Sequence, residues 1–138
     1  MRVVTEKIKL KPTIEPKMLD ITKDVQGVLD STGMKSGQAL VFVPGSTGGV
    51  TTIEYEPGLQ TDFREAMDRM MPRGIYHHDE KWGDGNGFSH IRASMMKPSL
   101  TVPFDNGDLM LGTWQQIVFC EFDNKKRDRE LVVQFTGE

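Results

Sequence analysis

Val3-Val4-Thr5-Glu6-Lys7-Ile8-Lys9-Leu10 ends in an alternation of apolar and charged residues. A period of two is what a half-buried strand requires. Beyond it, Asp20 or Thr22 can cap a helix, with Asp24 in its electropositive first turn. Ile21, Val25, Val28 and Leu29 share one face of that helix, and Gly33 suits the left-handed residue that closes it. Ala39 to Val43 is a short apolar run of the kind found in a central strand, and Val50 to Tyr55 returns as another. Pro57-Gly58 breaks that second strand. Phe63, Ala66, Met67, Met70 and Met71 then recur at helical spacing until Pro72 stops them.

Residues 72–88 are polar and glycine-rich and read as a long loop, a length that in a small domain often carries function. Ser89 can cap a short helix running to Met96. Three strand segments follow, Ser99 to Phe104, Leu109 to Phe122 and Glu130 to Phe135, with Asn106-Gly107 as a hairpin turn between the first two. Strands and helices are segregated, not alternated. The pattern therefore predicts a compact single α+β domain over 1–138, with mainly antiparallel sheets and helices packed on one side.

The segment from Leu109 to Phe122 places Leu111, Thr113, Gln115, Ile117, Phe119 and Glu121 on one face and Met110, Gly112, Trp114, Gln116, Val118, Cys120 and Phe122 on the other. With both faces largely apolar, the strand is expected to be central or to lie at a subunit contact. Trp114 is then expected to support folding or assembly. Gln115 and Glu121 become candidate buried polar groups in need of partners, although a solvated strand end would equally suit Glu121.

Composition narrows the function. The 138 residues carry a net charge of -3, which argues against a nucleic-acid binder held by phosphate neutralisation. Lys125, Lys126, Arg127 and Arg129 are interleaved with Asp123, Asp128 and Glu130, which fits either a solvated turn or an anion-binding group. The single cysteine, Cys120, cannot form an internal disulfide and reads as a small core residue. With no secretory signal and no apolar run of about 20 residues, a cytoplasmic location off the membrane is expected.

Two segments carry candidate chemistry. Gly45-Ser46-Thr47-Gly48-Gly49 follows an apolar strand, but it lacks the Lys-Ser/Thr pair and the helix of a P-loop. What remains open is a plain hairpin connection or a loop whose backbone N–H groups approach a ligand anion. The three histidines, His77, His78 and His90, fall within fourteen residues, with Asp79, Glu80 and Asp84 between them. Neutral imidazole is both a common metal ligand and a natural acid or base near neutral pH. Their spacing matches no standard zinc pattern.

Several segments, taken in order, resemble the YjbQ-like, secondary thiamine-phosphate synthase family. They are Ser46 to Glu54, Tyr76-His77-His78-Asp79, Ser89-His90-Ile91-Arg92-Ala93-Ser94, Pro98-Ser99-Leu100-Thr101-Val102-Pro103 and Leu111-Gly112-Thr113-Trp114-Gln115, with Glu121-Phe122-Asp123 and Arg127-Asp128-Arg129 at the end. The resemblance implies an α+β homotrimer with a cleft containing Glu54, His78, Asn86, His90, Gln115 and Arg127. Many members carry a His-Thr-Thr segment where this chain has Gly45-Ser46-Thr47.

The activity implied joins a hydroxymethylpyrimidine diphosphate to a thiazole phosphate with release of pyrophosphate. On that reading His78, His90, Glu54 and Gln115 are catalytic, and Ser46, Thr47, Asn86, Arg127 and Arg129 bind the phosphorylated substrate. His78 and His90 hold a divalent cation (zinc, manganese or magnesium), with Glu54, Gln115 or water as a third ligand. The alternative is a non-catalytic trimeric module that binds a metal or a small anion.

Overall fold

The computed structural model describes residues 1–138, in which two antiparallel sheets enclose one core. The strands are β1 (Arg2–Leu10), β2 (Lys17–Asp20), β3 (Gly37–Phe42), β4 (Gly48–Ile53), β5 (Ser99–Asp105), β6 (Asp108–Leu109), β7 (Gln116–Glu121) and β8 (Arg129–Gly137). The helices are α1 (Thr22–Thr32), α2 (Pro57–Met70), α3 (His77–Trp82) and α4 (Gly87–Met96). One sheet has the order β1-β8-β3-β5-β6 and the other β2-β7-β4. No helix is long and apolar enough to cross a membrane.

Alternation within the strands produces the layers. Ala39 and Val41 of β3, Val102 and Phe104 of β5, and Leu131, Val133 and Phe135 of β8 face Val50, Ile117 and Phe119 of the smaller sheet. Ile21, Val25 and Leu29 bury the predicted face of α1 in the same core, and Gly33 closes that helix at φ 68. On the far side of β7, Val118, Cys120 and Phe122 pack with Met18, Ala93, Phe63 and Met67 beneath α2 and α4. Strand β7 is therefore buried on both faces, as its two apolar stripes require.

The strand itself is shorter than the sequence pattern suggests. Leu109 to Phe122 is not continuous: β6 belongs to one sheet and β7 to the other, and residues 110–115 carry the chain between them. That crossing is a tight loop in which Gln115 N–H donates to Gly112 O at 3.1 Å. Apolar residues continue through it, so a period-2 reading runs across the gap. Trp114 is 72% exposed there and carries no core packing, so of the expected support for folding or assembly it does not supply the first.

Three other boundaries differ. The Pro44–Thr47 connection is not a hairpin, because β3 and β4 lie in different sheets. The long polar loop contains α3, a six-residue helix without an apolar face. Finally, α4 starts at Gly87 after Asn86, three residues earlier than a Ser89 cap would place it. Strand β2 and the start of α2 at Pro57 were also hidden. The Glu56 carboxylate accepts from Gly58 N–H and Leu59 N–H at 2.8 and 2.7 Å, which turns the proline from a breaker into a helix opener.

Phe119→Ala is expected to cost about 3–5 kcal/mol in urea unfolding, since it empties a fully buried aromatic site. Measured at a dilution that keeps the chain monomeric, Trp114→Ala should cost less than about 1 kcal/mol. Equal losses would contradict this assignment of the core.

Candidate functional site

The Pro44–Thr47 crossing ends against the tips of β7 and β8. There Phe122 N–H donates to Thr47 O at 3.0 Å, holding the loop to the strand. Thr47 Oγ1 donates to Asp123 Oδ2 at 2.9 Å and accepts from Arg129 Nη2 at 2.8 Å. Arg129 grips the buried Glu121 with two bonds, Nε to Oε1 at 2.9 Å and Nη2 to Oε2 at 2.5 Å. Arg127 Nε donates to Asp123 Oδ2 at 2.8 Å. Each buried carboxylate thus has its own guanidinium, the condition under which buried charge is tolerated. Burial alone would raise the Asp123 carboxyl, but the bonds from Arg127 and Thr47 outweigh it and hold the group below its ordinary range.

The opposite wall is the former loop 72–88. Asp79 fixes it by accepting Tyr76 N–H at 3.1 Å and Gly87 N–H at 2.8 Å, which joins the start of α3 to the start of α4. Those backbone bonds are the main reason the Asp79 carboxyl lies below its ordinary value. Gly83 (φ 71) and Gly85 (φ 68) are left-handed, and the intervening turn is tied down by Asn124 Nδ2, which donates to Asp84 O at 3.2 Å. The amide orientation of Asn86 that satisfies its surroundings directs its nitrogen to Asp84, at 3.1 and 3.3 Å from the two carboxylate oxygens.

These constraints place His78, on α3, against His90, on α4, with ring centroids 4.5 Å apart and planes tilted by 44°. His78 Nδ1 lies 3.5 Å from Asp79 Oδ1 and 3.6 Å from Asp84 Oδ1. Partial burial, followed by the charge of His78, pushes the His90 imidazole below its ordinary value of 6.5, with Asp123 and Asp84 acting in the opposite direction. His90 is therefore neutral at pH 7, able to accept a proton or ligate a metal. Between the walls is a cleft of about 540 Å³ lined by Ser46, Thr47, His78, Trp82, Asp84, Asn86, His90, Asp123, Arg127 and Arg129.

Seven residues singled out in the sequence converge here: Ser46, Thr47, His78, Asn86, His90, Arg127 and Arg129. Glu54 and Gln115 do not. In the β4–β7 ladder Gly48 pairs with Glu121 at the cleft end, whereas Ile53 pairs with Gln116 at the other, roughly 17 Å away along the strand. Gln115 there donates from Nε2 to Thr52 Oγ1 at 3.2 Å. His77 is fully exposed on α3, and its Nδ1 lies 3.5 Å from Glu80 Oε2.

Sequence reasoning missed Trp82, and it noted Asp84 and Asp123 without giving either a role in the site. The signal for Asp84 was its place between two glycines, and for Asp123 its place directly after the apolar end of a strand. Ligand atoms of His78, Asp79 and Asp84 lie within 4.8 Å of one another, a spacing a metal ion can bridge. A separate cavity of about 180 Å³ between α2 and the smaller sheet is lined by Met18, Phe63, Met67, Cys120 and Phe122. Burial pushes the Cys120 thiol up to about 12, so it remains protonated and serves as packing.

The model of the family described as UPF0047 protein YjbQ-like matches residues 6–138. The chain belongs to the YjbQ-like UPF0047 family. It is 36% identical to the UPF0047 protein YugU of Bacillus subtilis, over 94% of this chain and 97% of that one. A UPF0047 protein of Methanothermobacter thermautotrophicus is also 36% identical, over 100% of this chain and 95% of the relative. Among solved structures, a YbjQ-like protein of unknown function from Sulfolobus solfataricus superposes with a TM-score of 0.92 at 27% identity, covering 99% of both chains. A YjbQ/UPF0047 protein of Clostridium acetobutylicum gives a TM-score of 0.86 at 37% identity, covering 95% of this chain and 99% of that one. The mixed α+β fold read from the sequence is the fold of this family.

The His90 imidazole should sense its neighbour on α3. In metal-free protein the His90 midpoint followed by NMR is expected below 6.5. In His78→Ala it should rise, because a neighbouring positive charge has gone. A His90 midpoint unmoved by that substitution would mean that the two rings do not sense each other.

Proposed function

We propose that the chain is the protomer of a homotrimeric enzyme acting on a phosphorylated small molecule at the His78–His90 cleft. The observation that supports this best is the pairing of two imidazoles, 4.5 Å apart, within a cleft that also holds Arg127 and Arg129. Acid–base groups and phosphate-facing guanidinium groups on one surface are what phosphate-ester or diphosphate chemistry calls for. The finer reading is a synthase of the thiamine-phosphate type, in which a thiazole nitrogen attacks the methylene of a pyrimidine diphosphate and pyrophosphate leaves. Arg127, half exposed with only Nε committed, can turn its remaining N–H groups to the departing diphosphate. Neutral His90 can take up a proton or hold a substrate donor.

A divalent cation such as zinc, manganese or magnesium fits the donor set. His78, Asp79 and Asp84 are the side chains whose ligand atoms converge to hold it, with the His90 ring beside that of His78. Bound there, it would supply charge neutralisation for phosphate oxygens.

The trimer is supported by the surface. Met70, Met95, Met110 and Trp114 are each 60% or more exposed, a load of apolar side chains better suited to contact than to solvent. Glu54 and Gln115 stand at the end of the β4–β7 ladder that leads into the Trp114 loop, where a neighbouring copy can reach them.

Pyrophosphate release from paired pyrimidine and thiazole phosphates tests the activity. The unaltered protein should turn over, and the His78→Ala/His90→Ala variant should lose about 100-fold or more. Calorimetric titration with zinc and manganese should show binding that weakens below pH 6.5 and vanishes in the same variant. Metal or phosphate binding without product would favour the non-catalytic module. Sedimentation at micromolar concentration is expected to give a trimer, and a monomer would remove the assembly from the proposal.

A further inference from the structure

Arg129 has one face of its guanidinium uncommitted, and that face is fixed in place. Of its five N–H groups, Nε and one Nη2 hydrogen go to Glu121, and the other Nη2 hydrogen goes to Thr47. Nη1 makes no hydrogen bond, yet it is not among the buried polar atoms left without a partner, so solvent reaches it. The residue is only 9% exposed, and its planar group cannot swing away without breaking the bonds to Glu121 and Thr47. A guanidinium locked on one side with two free N–H groups on the other is a preorganised receptor for an oxyanion.

The residue facing it is Gly45. A Cβ built there would lie 2.9 Å from Arg129 Nη1. An Arg terminus normally yields to such a neighbour, but this one is held, so any side chain at 45 would cover Nη1 or displace the loop. The backbone N–H groups of Gly45, Ser46 and Thr47 also make no hydrogen bond within the chain. Three consecutive unpaired N–H groups beside a free guanidinium edge are the ingredients of an anion-binding loop. The space is continuous with the cleft: Ser46 and His90 line both it and an adjoining hollow of about 420 Å³ formed by Gly45, Gly48 and Ser94.

We propose that Gly45, the N–H groups of residues 45–47 and Arg129 Nη1 form the subsite that anchors a phosphate or diphosphate group, leaving Arg127 to follow the rest of the ligand. This rests on the reading that the cleft takes a phosphorylated molecule, and it adds where the phosphate sits and what the absent side chain at position 45 leaves open in this chain. Gly45 has no positive φ, so alanine brings no backbone strain and acts through its contact with Nη1.

The test is titration of the protein with inorganic phosphate and with pyrophosphate, followed by calorimetry and by amide NMR shifts. In the unaltered protein, both anions should shift the Gly45, Ser46 and Thr47 amides together with the Arg129 side-chain signals. Gly45→Ala should weaken binding by about ten-fold or more. Binding of undiminished strength in Gly45→Ala, or shifts confined to Arg127 and the histidines, overturns the subsite but spares the wider reading of the cleft. No binding of either anion by the unaltered protein overturns both. The shift pattern is read on the unaltered chain, so the subsite stays testable even if the alanine variant folds poorly.

Discussion

The buried pair between Glu121 and Arg129 is the constraint around which the site is organised. Glu121 is the last residue of a strand in the smaller sheet, and Arg129 is the first residue of a strand in the larger one. Their bidentate contact joins the two sheets where the hydrophobic core ends, and Phe119 lies beneath the guanidinium at 5.7 Å. An ion pair in such a place contributes little net stability, because desolvation offsets the attraction. Losing one partner, however, would strand a buried charge at a cost of about 3–5 kcal/mol. The arrangement is held less by what it gains than by what its disruption would cost. Thr47 and Asp123 extend the pair into a network, so the loop that crosses between the sheets is fixed by the same charges.

A second buried network holds the opposite wall. Arg92, on the inward face of α4, is 1% exposed; its Nε donates to Met71 O at 2.9 Å and its Nη2 to Asp68 Oδ1 at 3.1 Å. Glu15 lies 4.0 Å from the same guanidinium and also pairs with Arg73, while Phe88 lies under both arginines. The helix that carries His90 is therefore tied to α2 and to the segment leading into β2. His78 approaches from a helix of only six residues, which has no buried residue of its own and depends on the Asp79 capping bonds and the two left-handed glycines. One imidazole rests on a rigid element and its partner on a thinly supported one. Motion that opens the cleft would fall on the α3 side, where fewest contacts must break.

The sequence made some of this legible and hid the rest for identifiable reasons. Strands β1, β3, β5 and β8 and helix α1 could be read directly, β1 and α1 from their periods and β3 from its short apolar run. Strand β7 was legible in its two apolar stripes but not in its length, since the crossing at 110–115 is also apolar and interrupts no alternation. Helix α3 was invisible because His77-His78-Asp79-Glu80-Lys81-Trp82 has no apolar stripe. Its existence depends on an aspartate accepting backbone bonds across eight residues of chain. The histidines and both arginines were recognisable as chemical residue types in polar segments, whereas Asn86 came only with the family resemblance. Asp123 was harder, because its importance comes from burial at a sheet junction and no local pattern records that. Glu54 and Gln115 show the converse limit: a family motif names residues without saying that they lie at the far end of the ladder from the imidazoles.

The proposed anionic ligand would have to be held in a chain of net charge -3 and in a cleft that also contains Asp84. Arg127 is balanced by Asp123 and Arg129 by Glu121, so the guanidinium groups add almost no net charge to the cleft. Attraction cannot then come from a long-range positive field, which separates this site from the basic surfaces that hold nucleic acid. What remains is directed donation from N–H groups whose positions are set before the ligand arrives. Recognition of that kind is short-ranged and little screened by salt, and it is sensitive to displacement on the scale of a methyl group. On the proposed reading, Glu121 and Asp123 are therefore not competitors for the ligand. They hold each arginine at one edge and leave the other edge pointing at open space, so the charge balance and the binding geometry have the same origin.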